Sequence, residues 1–126
     1  MTLFTTGTGS VTLRVMKSRN LGNTGLSVSA VGLGGVPLSV PKTRPDEATA
    51  IKVIHHAIDQ GVTFIDTADS YGLGENDMGH NERLFHRALS QLPVDVRDQL
   101  VVATKAGFAR PGGEWVPNGR PEYLRR

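Results

Sequence analysis

Three side chains in this 126-residue sequence could cooperate in giving a proton to a carbonyl oxygen: Asp66, Tyr71 and Lys105. A phenol in water has a pKa near ~10 and holds its proton too firmly to act as an acid at neutral pH. A nearby ammonium favours the phenolate and lowers that value. An ammonium in a partly buried mouth needs a counter-charge in turn, which a carboxylate supplies. Together the three make a tyrosine tuned as a general acid. Joined to a hydride donor, such a tyrosine reduces an aldehyde or ketone. Taken singly, each residue has an ordinary structural reading. Asp66 would cap a turn, Lys105 would be a solvated strand-end lysine, and Tyr71 would pack a loop. The chemistry rests on the three together.

The elements around them give a reason for them to meet. VTFIDTA (62–68) and LVVATK (100–105) are β-rich apolar runs, and Asp66 and Lys105 stand at their C-terminal ends. Tyr71 lies five residues beyond Asp66, on the loop leaving the same strand end. Upstream, Gly22-Asn23-Thr24-Gly25 is a turn signal within Leu13–Gly34, and the alternation in LSVSAVG predicts a hairpin followed by a strand at Val31–Gly35. Thr43, with Asp46 three residues later, predicts the capped start of a helix that carries Ala50, Ile51, Ile54, Ala57 and Ile58 on one face and ends at Gly61. A second helix is expected over 81–91, with Leu84, Phe85, Ala88, Leu89 and Leu92 as its apolar face. Strand 100–105 is apolar enough for burial on both faces. The segment GFARPGGEWVPNGR reads as a loop, and Pro121-Glu122 as the first turn of another helix. The order is hairpin, then β-α-β-α-β-(α), which means a parallel sheet covered by helices. Two closures are possible, a doubly wound open sheet or a (β/α)₈ barrel, and in both the functional groups collect at the C-terminal ends of strands.

Other chemistries fit poorly. The dinucleotide pattern G-x-G-x-x-G fails, because Pro37 occupies the third place after Gly32 and Gly34, and Asp77 the third place after Gly72 and Gly74. This disfavours the open sheet and leaves the barrel. No Gly-Lys-Ser/Thr phosphate loop occurs. His55 and His56 are adjacent on a helix, His80 and His86 lack the i, i+4 spacing of a metal pair, and Glu75 with Asp77 lacks the spacing of a calcium loop, so no metal site is expected. Trp115 and Phe108 could line a substrate pocket or simply pack their loop. The net charge of +2 and the 21% charged residues give no reason to expect a nucleic-acid or membrane partner. The absence of cysteine fits a reducing compartment, and a cytoplasmic location is expected. Residues 1–15 read as a Thr/Gly-rich tail with a single charge, Arg14, and residues 16–126 as the domain.

With these residues in view, a resemblance is evident. FIDTADSYG (64–72) and ATKAG (103–107) resemble the active-site signatures of the aldo/keto reductases, and RNLGNTGLSVSAVGLGG (19–35) is similar to that family's N-terminal hairpin and first strand. GFARPGGEWVPNGRPEYLRR resembles, more weakly, the bacterial branch that includes pyridoxal reductases. The resemblance implies the N-terminal portion of a (β/α)₈ barrel preceded by a β-hairpin, with NADPH as cofactor and a small carbonyl compound as substrate. It implies Tyr71 as general acid, Lys105 as the residue that lowers its pKa, Asp66 paired with Lys105 near the nicotinamide ribose, and Gly34 and Gly35 beneath the nicotinamide. The family's catalytic histidine and its phosphate site belong to later units. Against ~250 residues for a whole barrel, about three of the eight units are expected here. A fragment of that kind is expected to be inactive alone and to self-associate. A barrel retained as a non-catalytic binding or regulatory subunit is the alternative.

Overall fold

The turn at Gly22–Gly25 closes the expected hairpin. In the computed structural model, which describes residues 16–125, β1 (Ser18–Asn20) pairs antiparallel with β2 (Ser27–Ser29), Arg19 opposite Val28. The proposed tail 1–15 lies outside the described residues. The alternation in LSVSAVG is only partly used: Val28 is buried, but so is its neighbour Ser29, while Leu26 and Ala30 are exposed. Ser29 earns its burial through polar contacts, since its backbone N–H donates to the Thr63 hydroxyl and the Thr63 N–H donates to the Ser29 hydroxyl.

β3 (Leu33–Gly34), β4 (Phe64–Asp66) and β5 (Val101–Ala103) form a parallel sheet in that order. All three are shorter than the apolar runs that predict them. α1 (Glu47–Asp59) connects β3 to β4, and α2 (His80–Ser90) with the short α3 (Val94–Arg97) connects β4 to β5. Leu38, Ala50, Ile54, Leu84, Phe85 and Ala88 close over Ile65 of the central strand to form the core. Ile54 and Ile65 are each 0% exposed. His55 joins the two helices, its Nε2 lying 2.8 Å from the Ala88 carbonyl.

The helix start differs from the sequence expectation. Asp46, not Thr43, is the cap of α1, and its carboxylate accepts from the Thr49 N–H at 2.9 Å. Pro45 explains the difference. A residue before proline is pushed away from helical geometry, so a helix capped at Thr43 would have to begin at the disfavoured Arg44. The C-terminal end is as expected, with Gly61 in the left-handed region at φ +91°. Two further departures concern the third unit. Val102 of β5 is 46% exposed, so the strand is not covered on both faces by the described residues. The segment read as a loop after Lys105 folds into a small hairpin of β6 (Phe108–Ala109) and β7 (Val116–Pro117). α4 (Pro121–Leu124) begins at the proline, as expected.

Register decides what stands at the sheet's C-terminal end. Side chains alternate faces along a strand, so Ile65 turns toward the helices while Asp66 takes the opposite face. Across the sheet Asp66 lines up with Gly34 on one side and Ala103 on the other.

Candidate active site

Asp66 ends β4, Lys105 lies two residues past β5, and Tyr71 follows on the β4–α2 loop. The Lys105 ammonium lies 2.9 Å from each oxygen of the Asp66 carboxylate and 2.8 Å from the Thr67 carbonyl. It also lies 4.9 Å from the centroid of the Tyr71 ring. The three residues expected to cooperate are thus brought together. Burial pulls the Lys105 ammonium toward neutrality, but the hydrogen bonds and charge of Asp66, with the neighbouring Tyr71, outweigh it and hold its pKa above the ordinary lysine value. The amine therefore stays charged at neutral pH. The pair is a site feature rather than a large source of stability, because the two side chains are 48% and 44% exposed.

The loop that carries Tyr71 is anchored from beneath by Asn81, in the first turn of α2 and 0% exposed. The Thr67 hydroxyl donates to Asn81 Oδ1 at 2.6 Å, and Asn81 Nδ2 donates to the Gly35 carbonyl at 2.8 Å and to Ser39 Oγ at 2.7 Å. Its backbone N–H donates to the Tyr71 carbonyl at 3.2 Å. One side chain thus ties the ends of β3 and β4 to the helix that follows them. Ser39 Oγ, accepting from Asn81, also lies 2.8 Å from Nδ1 of His80, a hydrogen bond that a neutral imidazole can complete as donor or as acceptor according to its tautomer.

The two glycines at the end of β3 differ in what demands them. A Cβ on Gly35 would collide with the Asn81 side chain and the Phe85 ring, so the protein's own packing requires glycine there. A Cβ on Gly34 would meet nothing within 4 Å. Gly34 instead leaves open space beside Asp66, its partner in the sheet.

On the other side of Tyr71, the β6–β7 hairpin brings Trp115 edge-on, with ring centroids 6.3 Å apart. Phe108 packs on Trp115 in turn at 5.9 Å. At 44% and 41% exposed, these two rings form an open apolar wall next to the phenol.

This constellation has relatives. The model of the aldo/keto reductase family matches residues 30–126. The chain belongs to the aldo/keto reductase family. Probable aldo-keto reductase 1 of Glycine max is 39% identical over 107 residues, covering 83% of this chain and 29% of the soybean protein. The holo form of an aldo-keto reductase from Bacillus halodurans superposes with a TM-score of 0.67 at 30% identity, over 87% of this chain and 33% of that one. A Pseudomonas aeruginosa structure assigned to the aldo-keto reductases gives 0.69 at 32% identity, over 86% and 38%. The chain therefore spans less than two fifths of these reductases' length. The likeness settles the closure left open by the strand order: the described α/β units are the N-terminal portion of a (β/α)₈ barrel. No helix among the described residues is long and apolar enough to cross a membrane.

Sequence reasoning passed over Asn81, Thr67 and Arg110. Asn81 stands among ordinary helix-start residues, and its partners are mostly backbone or hydroxyl groups that leave no mark in a sequence. His80, set aside as a metal ligand by its spacing from His86, is bonded to Ser39 instead. Burial, followed by the positive charge of Arg44, holds its pKa below the ordinary histidine value, with Asp77 opposing. A depressed folded-state value means that the unfolded chain binds the proton first as pH falls. The stability owed to neutral His80 is complete above about 6.5, the unperturbed value, and is lost as pH drops through the lower folded value. Thermal melts of the complete protein are expected to weaken below neutral pH, and His80→Gln, whose amide can still bond to Ser39, should flatten that dependence. An unchanged slope in the variant would remove His80 from the network's pH response.

Proposed function

We propose that the barrel containing this chain reduces an aldehyde or ketone to an alcohol with NADPH, Tyr71 acting as the general acid. The observation that carries the reading is the Lys105 ammonium, bonded to both oxygens of Asp66 and held 4.9 Å from the Tyr71 ring centroid. A cation so placed stabilises the oxygen left negative when a phenol gives up its proton, and Asp66 keeps the cation charged and aimed. The residues at the sheet end suit the cofactor. Gly34 presents open space in register with Asp66, which leaves room for a flat ring, and the Asp66 carboxylate is the acceptor for a ribose hydroxyl. Gly35 adds its backbone to the same strand end, although its lack of a side chain is already explained by Asn81. When bound, NADPH supplies the hydride. The protein's own part is to hold the carbonyl compound against the Trp115–Phe108 wall and to pass the Tyr71 proton to the carbonyl oxygen. A reducing, cytoplasmic setting suits this chemistry.

The test is direct. The complete protein, given NADPH and a panel of aldehydes and ketones, should consume NADPH only when a carbonyl compound is present. Lys105→Met removes the cation while keeping a similar length, and should cut turnover by roughly 100-fold or more, the lower end of what a tuned acid contributes. Equal turnover in Lys105→Met, or NADPH loss that ignores the carbonyl compound, would overturn the reading.

A further inference from the structure

Arg110 is 2% exposed, the largest of the fully buried side chains, and the proposed reaction leaves it without a task. Among the described residues no carboxylate pairs with it; every hydrogen-bond partner is a backbone carbonyl. Nη1 donates to the Ser70 carbonyl at 2.8 Å and to the Gly72 carbonyl at 2.9 Å. Nη2 donates to the Gly113 carbonyl at 2.8 Å, and Nε is shared between the carbonyls of Gly113 and Glu114, each at 3.2 Å. The guanidinium carbon lies 3.8 Å from the centroid of the Trp115 ring.

The pattern is specific. Ser70 and Gly72 are the residues on either side of Tyr71, so one guanidinium nitrogen grips the chain immediately before and immediately after the phenol. The other nitrogens grip the tight turn of the β6–β7 hairpin, and the face of the same group supports Trp115, which packs edge-on against Tyr71. Tyr71 sits on an irregular loop whose own bonds are modest: its N–H reaches the Ala68 carbonyl at 3.4 Å, and its carbonyl accepts from Asn81 at 3.2 Å. A buried cation is costly to desolvate unless its donors are satisfied. Here the donors are spent on the loop that must hold the phenol still. A guanidinium is a rigid planar fork that can bridge carbonyls on two segments, whereas a lysine ammonium is a single point of attachment.

We infer that Arg110 is a positioning residue that clamps the Tyr71 loop to the β6–β7 hairpin and so sets the phenol where it can protonate the carbonyl oxygen. The inference rests on Tyr71 being the general acid. Displacing a reacting group by about 1 Å can cost on the order of 100-fold in rate. In the complete protein, Arg110→Lys should therefore lower kcat by about that factor, with the KM for the carbonyl compound and the Kd for NADPH changed only a few-fold. Arg110→Ala should regain turnover when guanidinium ion is added, but not with ammonium ion. In a Tyr71→Phe background, Arg110→Lys should produce no further loss, because the phenol through which it acts is gone.

The outcomes separate the two readings. Full turnover in Tyr71→Phe would overturn the proposed function, and this inference with it. A large loss in Tyr71→Phe together with wild-type turnover in Arg110→Lys would overturn the inference alone, as would an equal further loss in the double variant. Arg110→Gln, which keeps two amide hydrogens without the charge, provides a second variant if Arg110→Lys does not fold. Failure of the Lys, Gln and Ala variants alike to fold and bind NADPH would also overturn it, by making Arg110 a residue of the fold rather than of the phenol's placement.

Discussion

Tyr71→Phe is expected to lower carbonyl reduction roughly 100- to 10,000-fold, the usual contribution of a positioned general acid, while NADPH binding changes little. The substitution removes one oxygen and keeps the ring. Its packing against Trp115 at 6.3 Å survives, and so does the ring under Lys105 at 4.9 Å. What disappears is the proton donor, with the oxygen that the ammonium would stabilise once the proton leaves. Lys105 keeps both oxygens of Asp66 and the Thr67 carbonyl, so the open space beside Gly34 is undisturbed. Steady-state turnover and the fluorescence of bound NADPH, measured on the same preparation, separate the two effects. A parallel loss of cofactor affinity would mean that Tyr71 belongs to the cofactor site, and unchanged turnover would mean that some other group supplies the proton.

The parts of this arrangement that were legible in the sequence share one property: each is marked by a residue type that has few other reasons to stand where it does. A carboxylate and an amine at the ends of two adjacent apolar runs can be read as a pair, because parallel strands put their C-terminal ends together. The core could be read from Ile54, Leu84, Phe85 and Ala88, whose helical spacing survives intact in α1 and α2. Arg110 carries no such mark. Its partners are the carbonyls of Ser70, Gly72, Gly113 and Glu114, groups that nearly every residue possesses, so the contact could not be inferred from residue types. The β6–β7 hairpin was missed for a related reason. Two residues per strand are too few to establish an alternating pattern, and the Gly-Pro-rich stretch between them reads equally well as a loop. At the start of α1 the sequence places the cap at Thr43 with Asp46 as its capping-box partner, and the constraint of Pro45 on Arg44 moves the cap itself to Asp46.

Asn81→Leu should destabilise the protein by roughly 2–4 kcal/mol, a large share of the ~5–15 kcal/mol that separates folded from unfolded proteins. Leucine branches at the same carbon as asparagine and has the same number of heavy atoms, but its methyl ends are bulkier, so lost bonding and overpacking act together. Three partners would lose their bond to Asn81 in a place with no exposed side-chain surface: the Thr67 hydroxyl, Ser39 Oγ and the Gly35 carbonyl, which keeps only the Leu38 N–H at 3.0 Å. Each buried polar group so abandoned costs about 1–3 kcal/mol, and Ser39 keeps part of its bonding through His80. A further penalty is steric. Gly35 is a glycine because the Asn81 amide lies against its Cα, and a branched leucine end cannot turn a hydrogen-bonding edge toward that carbonyl. Asn81→Asp distinguishes bonding from shape. It keeps an acceptor for Thr67 but loses the donor to Gly35, and it buries a negative charge, so it should be no more stable than the leucine variant. Urea melts of the complete protein give both values. A loss below about 1 kcal/mol for Asn81→Leu, the size of a single average hydrogen bond, would show that the ends of β3 and β4 are held to α2 by apolar packing alone. The Asn81 network would then be incidental to the placement of Asp66 and Tyr71.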